Sequence, residues 1–330
     1  MLEALLFAIE AVFPIILMVA LGFLLKKKAL VDASFIKKAN KLVFRLFLPV
    51  MLFNNIYGIK GIGELDLGYA VFVALFTVVL FCIMIPVVRK VSSDNKRRGA
   101  LLQASFRSNY ALIGIPLAQA LFGFEGVAVA SLLSAVLIPV FNVLAVLSLS
   151  IFTDSEPSVK RIVKDIVKNP LINAVLLGVV VLVIREFFNA NLISFRLSDI
   201  GILFKIISYL SSVATPLALL MLGAQFEFSA IRELKREIFF GTLTRTLIVP
   251  FLGLLSAYLL YFFNILDLNG AHFASFVAAF STPVAVSSVP MAQEMKSDVV
   301  LAGQLVVWTT LISSASVFAS AFVLKVLGVF

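Results

Sequence analysis

Two short polar stretches carry most of the residues in this chain that could engage a small ligand. The first is Ser108-Asn109-Tyr110-Ala111-Leu112-Ile113-Gly114-Ile115-Pro116, and the second is Ser281-Thr282-Pro283-Val284-Ala285-Val286-Ser287-Ser288-Val289-Pro290. Asn109 supplies both a donor and an acceptor, so beside unwound backbone N–H groups it can hold a carboxylate without a formal positive charge. Ser108, Thr282, Ser287 and Ser288 can donate to a carboxylate or present oxygens to a cation; small hydroxyl residues also simply pack membrane helices. Arg107, directly before the first stretch, either guides an anion or stabilises the break. The chemistry on offer is anion binding rather than bond making.

An enzyme would need a catalytic constellation. The single histidine, His272, has no HExxH or paired-carboxylate context, no aspartate pair lies within an apolar segment, and no Gly-rich phosphate loop is present. These absences disfavour an intramembrane protease and an ATP-driven pump. The single Cys82 supports neither a disulfide framework nor a thiol metal site. No cofactor or bound metal is expected; coupling to protons or sodium is left open.

The elements that hold these stretches are apolar. Of 330 residues, 62% are hydrophobic and 32 are Phe, and the mean hydropathy is +1.10, well above a soluble domain of ordinary composition. An all-α, multi-pass membrane protein follows. A helix needs about 20 apolar residues to cross the bilayer, and ten segments satisfy this, at about 4–25, 42–58, 67–88, 100–122, 127–152, 170–188, 203–226, 238–262, 271–293 and 299–327. The first has no basic region before it and reads as a true span, not a cleaved leader.

Lys and Arg concentrate in the connections after the first, third, fifth, seventh and ninth segments, among them Lys26 to Lys28, Arg89, Lys96 to Arg98, Lys160 to Lys168 and Arg232 to Arg236. Positive residues stay on the cytoplasmic side, so both termini are expected outside. The net charge of +9 is accounted for by these loops beside anionic lipid, and nothing resembles a nucleic-acid module. Residues 153–169 read as a cytoplasmic connector, with a short amphipathic surface helix from Ser158 to Lys168.

The two polar stretches fall in the fourth and ninth segments, and an irregular backbone survives at bilayer depth only where protein or a water-filled cavity surrounds it. After them the chain reads Pro116-Leu117-Ala118-Gln119-Ala120 and Pro290-Met291-Ala292-Gln293-Glu294. Five segments thus match five, and because five is odd the second half enters from the opposite side. The expectation is an inverted repeat, residues 1–152 against 170–330, the architecture of secondary transporters with a midplane site.

Other polar positions have plainer expectations. Glu10, about two turns into the first segment, either titrates in proton coupling or pairs with a basic or hydroxyl group. Gln119 and Gln293 follow the breaks symmetrically and satisfy helix contacts unless they join the coupling. Arg245, similar in depth to Arg107, is expected to snorkel. Asn54 and Asn55 mark the outer interface of the second segment.

Several motifs carry a resemblance to a known family. They are Phe13-Pro14-Ile15-Ile16-Leu17 with Ala20-Leu21-Gly22, Leu48-Pro49 with Leu52-Phe53, Arg107-Ser108-Asn109 with Gly114-Ile115-Pro116, Asn169-Pro170-Leu171, Leu222-Gly223-Ala224, and Pro283 with Ala292-Gln293-Glu294-Met295. Over nearly its whole length the chain resembles the auxin efflux carrier family, which includes plant PIN-type carriers and bacterial permeases for malate, malonate and related anions. The resemblance implies an elevator-type carrier for a small carboxylate. Segments one, two, six and seven would form a scaffold and homodimer contact, and segments three to five and eight to ten a transport bundle. Asn109 matches the family's substrate-coordinating asparagine, and Gly114, Pro116, Pro283 and Pro290 fall at or beside its crossover. PIN-type carriers also present an acidic and a basic residue from the third segment; here residues 67–88 hold no charge. The rivals are a sodium symporter of bile-acid type and a membrane sensor that binds without transport. The short connector fits compact bacterial members, hence a bacterial inner (plasma) membrane.

Overall fold

The computed structural model describes residues 2–58, 67–152, 167–190 and 196–330, with side chains described except at 2–12 and 189–190. Among them the chain is all-helical, and the one extended pairing is an antiparallel bridge between Ser108 and Val284. In order the helices are α1 (Leu2–Lys27), α2 (Ala33–Leu42), α3 (Leu48–Tyr57), α4 (Leu67–Val91), α5 (Asn95–Phe106), α6 (Ile115–Ile151), α7 (Pro170–Ala190), α8 (Gly201–Gln225), α9 (Ala230–Glu233), α10 (Lys235–Leu243), α11 (Val249–Phe262), α12 (Gly270–Phe280), α13 (Ser288–Glu294) and α14 (Val299–Val326).

Six runs among the described residues are long and apolar enough to cross a membrane: Leu67–Val91, Tyr110–Ile151, Pro170–Phe188, Gly201–Gln225, Lys235–Phe262 and Val299–Val326. Part of the difference from the ten expected segments has local causes. Segment 100–122 is broken after Phe106, and its remainder from Tyr110 runs on into segment 127–152, with a kink where Phe122 and Gly123 leave helical backbone and Gly123 stands at φ +59, a conformation that favours glycine. Segment 271–293 is cut by its polar stretch into α12 and α13. The connector expected at 153–169 lies outside the described residues apart from 167–169.

Three helices contain one wide turn each, at Val43–Phe47, Tyr110–Gly114 and Thr244–Ile248. Each ends two residues before a proline, Pro49, Pro116 or Pro250. A proline has no N–H to give the carbonyl four residues back. The ladder instead slips to five residues: the N–H of Leu48, Ile115 and Val249 bonds the carbonyl of Val43, Tyr110 and Thr244. Such widenings gather at functional sites, and two of these three bear on the crossing described below.

Helix faces follow from side-chain spacing. On α4, Ala70, Val73, Thr77, Leu80, Met84 and Val88 are buried while Val71, Leu75, Val78, Val79 and Ile83 are exposed, the three-to-four repeat of a helix with one face in the protein and the other toward lipid. Helices α1 and α8 approach at glycine: a Cβ on Gly22 would lie 2.1 Å from the Leu220 carbonyl oxygen, and one on Gly223 1.9 Å from that of Val19. Small residues at such contacts let membrane helices pack by close backbone approach. α12 is enclosed on all sides, with Phe273, Ala274, Phe276, Val277 and Ala278 fully buried.

Aspartates begin three helices. Asp32, Asp94 and Asp298 accept from the N–H of Phe35, Arg97 and Leu301 at 2.6, 3.1 and 2.8 Å, satisfying donors a helix start leaves unpaired. Arg97 also joins helices, reaching Glu233 at 2.5 Å, Asp298 at 3.5 Å and Glu237 at 3.6 Å. Partial burial works against its charge, but the Glu233 hydrogen bond and the neighbouring acids outweigh it and raise the guanidinium pKa. This contact stays ionised throughout the physiological range.

Candidate functional site: the crossing of two helix breaks

The two polar stretches meet. α5 ends as the Arg107 N–H makes a last helical bond to the Gln103 carbonyl, after which Arg107 is extended. Ser108 then bridges to Val284, and the Asn109 N–H donates to the Pro283 carbonyl at 2.8 Å. The second break arises at Pro283, which disfavours helical backbone at Thr282 and cannot donate to the Ala279 carbonyl. Val284 N–H turns to Thr309 Oγ1 at 3.1 Å, and Ser281 Oγ pairs with Ser320 Oγ at 2.9 Å, so α14 holds the break from behind.

Arg245, in the wide turn before α11, is fully buried and donates to three carbonyls: Nε to Thr282 at 2.9 Å, Nη2 to Ala279 at 2.8 Å and Nη1 to Phe106 at 3.3 Å. The expected snorkelling is therefore corrected. A guanidinium placed where two helices stop finds acceptors within the protein and has no need to reach an interface. The carbonyls of Ala279 and Phe106 lie in the last turns of α12 and α5, where a helix lacks its own donors.

Arg107 is also buried, but its acceptors are Asn142 Oδ1 at 3.1 Å and Ser287 Oγ at 2.9 Å, and it rests against the Met291 sulfur. None carries charge. Arg107, Ser108, Asn109, Asn142 and Ser287 share a partly open cavity of about 50 Å³, lined as well by Met51 and Asn55 of α3 and Thr215 and Ala218 of α8. No Asp or Glu is among the described residues lining it. Ser108 Oγ and Asn109 Nδ2 are buried without a hydrogen-bond partner. A buried polar group left unpaired costs about 1–3 kcal/mol.

Other sequence candidates divide. Thr282 does not line the cavity; its hydroxyl bonds back to the Ala278 carbonyl at 2.7 Å, as threonine does when a helix turn offers an acceptor. Ser288 is buried and does not line the cavity, and its Oγ is unpartnered. Gly114 lies close to α12, where a Cβ would sit 3.0 Å from the Ala278 carbonyl oxygen. Pro116 and Pro290 lie in the first turns of α6 and α13. Gln119 is exposed on α6, away from the cavity. Gln293 accepts from Asn40 Nδ2 at 2.7 Å and donates to the Lys37 carbonyl at 3.2 Å, tying α13 to α2. The side chain of Glu10 lies outside the described residues. Polar lining residues not singled out as ligands include Asn142, a lone amide in an apolar run, Thr215 before Pro216, and Asn55, expected only to mark an interface.

A family model described as "Membrane transport protein" matches residues 7–319. The chain belongs to this family. The match bears out the resemblance to auxin efflux carriers and makes the protein a membrane transporter rather than an enzyme. An uncharacterized transporter of Methanothermobacter thermautotrophicus is 27% identical over 310 residues, 93% of this chain and 95% of the relative. A second uncharacterized transporter, from Methanocaldococcus jannaschii, is 24% identical over 241 residues, 70% of this chain and 72% of the relative.

Proposed function

We propose that this family member is a secondary carrier for a small organic anion of the malate, malonate or auxin-like carboxylate class, bound where the two breaks cross. The observation that carries the reading is Arg107, a buried guanidinium facing a cavity with no acidic lining residue among those described, beside the unpaired donors of Ser108 and Asn109. A buried cation without a counter-charge is expensive, and an incoming carboxylate supplies the missing charge and acceptors together. One water needs about 10–15 Å³ on the same measure. A cavity of about 50 Å³ has room for a carboxylate head.

The wall supplied by α3 and α8 opposite the breaks supports an elevator-type mechanism. In this reading ten spans form a five-plus-five inverted repeat, 1–152 and 170–330 joined by a 153–169 connector. α1 to α3, α7 and α8 are the scaffold and the homodimer contact, while α4 to α6 and α10 to α14 carry the anion. The protein sits in a bacterial inner membrane with both termini outside. The test is counterflow of labelled malate, malonate and indole-acetate in proteoliposomes. Flux by wild type, lost in Asn109→Ala while thermal stability is kept, supports the carrier; saturable binding without flux in wild type makes the protein a sensor.

A further inference from the structure

We infer that Arg245 is a tethered substitute for a coupling cation, so that the anion site is assembled without sodium. In carriers built on broken helices, unwound carbonyls and the C-terminal ends of half-helices coordinate the coupling cation. Here that set is the carbonyls of Phe106 at the end of α5, Ala279 in the last turn of α12, and Thr282 in the second break. All three accept from one guanidinium, at 3.3, 2.8 and 2.9 Å. The Ala279 carbonyl is free for this because Pro283, four residues on, has no N–H to offer it.

The charges match as well. Each helix C-terminus carries roughly −0.5 of an elementary charge, so the two that converge on Arg245 total roughly −1, which one guanidinium cancels. Guanidinium is weakly hydrated, permanently charged and presents its donors as a rigid fork. It therefore fills a cage of backbone oxygens at permanent occupancy, whereas a free ion would have to be captured each cycle. The wide turn Thr244–Ile248 before Pro250 presents Arg245 at this point.

The consequence reaches the anion site through the backbone. Thr282, which accepts from Arg245, adjoins Pro283, which accepts from the Asn109 N–H. Arg245 thus holds both breaks in register and is a positioning residue for Asn109. Only this consequence for the anion rests on the carrier reading; the cation site stands on its own geometry.

The experiment measures thermal stability of the purified protein in matched sodium, choline and methylguanidinium chlorides, for wild type and Arg245→Ala, alongside labelled malonate counterflow in sodium or choline. Expected are an unchanged wild-type Tm between sodium and choline, and a lowered Tm in Arg245→Ala that methylguanidinium raises back toward wild type. Any malonate flux should differ less than about twofold between sodium and choline, against the roughly 5–150-fold of a typical coupling. A wild-type Tm raised by sodium over choline overturns the inference. So does a folded Arg245→Ala that no cation stabilises. Should Arg245→Ala not fold, the wild-type comparison decides alone. Methylguanidinium rescue with no malonate flux upholds the cation substitute while removing malonate as cargo from the carrier reading.

Discussion

Arg107 and Arg245 look alike in the sequence, each several residues inside an apolar segment, and both are buried at the same crossing. Their surroundings differ in kind. Arg245 meets three backbone carbonyls, two in the last turns of helices and one in the second break, and does not line the cavity. Arg107 meets one amide oxygen, one hydroxyl and a thioether, and lines the cavity. One cation is consumed by the fold, and the other is the one proposed to meet a ligand. A buried charge in a membrane protein is thus a functional candidate whose role is decided by what already accepts its hydrogen bonds.

The contrast can be broken by substitution. Arg245→Ala has the largest expected effect, on stability: three buried carbonyls lose their donors, at about 1–3 kcal/mol each, seen as a fall in Tm large enough to impair recovery of folded protein. Arg107→Gln should leave Tm near wild type yet weaken anion binding about 10–150-fold, the equivalent of the roughly 1.5–3 kcal/mol of a hydrogen bond to a charged group, measured by equilibrium binding. If the two substitutions exchange these effects, the assignment is reversed. Asn142→Ala sharpens the comparison: it removes one Arg107 acceptor and should shift anion affinity by a factor of about ten or less, with little change in Tm. Glu294→Gln is the smallest. It breaks the 3.3 Å contact with the exposed Arg45, and exposed ion pairs contribute about 0–1 kcal/mol, so Tm should move by a degree or two at most.

The breaks themselves were legible, because Ser, Asn and Pro inside apolar segments can only be accommodated where the helix stops. Their crossing followed only from the family resemblance, and the bridge between Ser108 and Val284 that makes it was not legible, since pairing between residues so far apart in sequence leaves no local periodicity. Asn142 escaped notice for a related reason: a lone polar residue in a membrane helix is ordinarily satisfied by its own helix. Asn142 does this in part, donating to the Ile138 carbonyl at 2.8 Å while its oxygen serves Arg107. The fate of Arg245 was illegible because its acceptors come from residues 106, 279 and 282, and depth alone argued for an interface. Conversely, the prolines after the three wide turns were visible from the start, and their spacing accounts for where each ladder slips.

The central claim is that the crossing holds the anion, and equilibrium binding of labelled malate, malonate and indole-acetate to purified wild type and Arg107→Gln, with Tm recorded for both, tests it most directly. Saturable binding of at least one anion to wild type is expected, weakened about tenfold or more in Arg107→Gln, at equal stability. Equal affinity in the two proteins would contradict it and place the anion elsewhere.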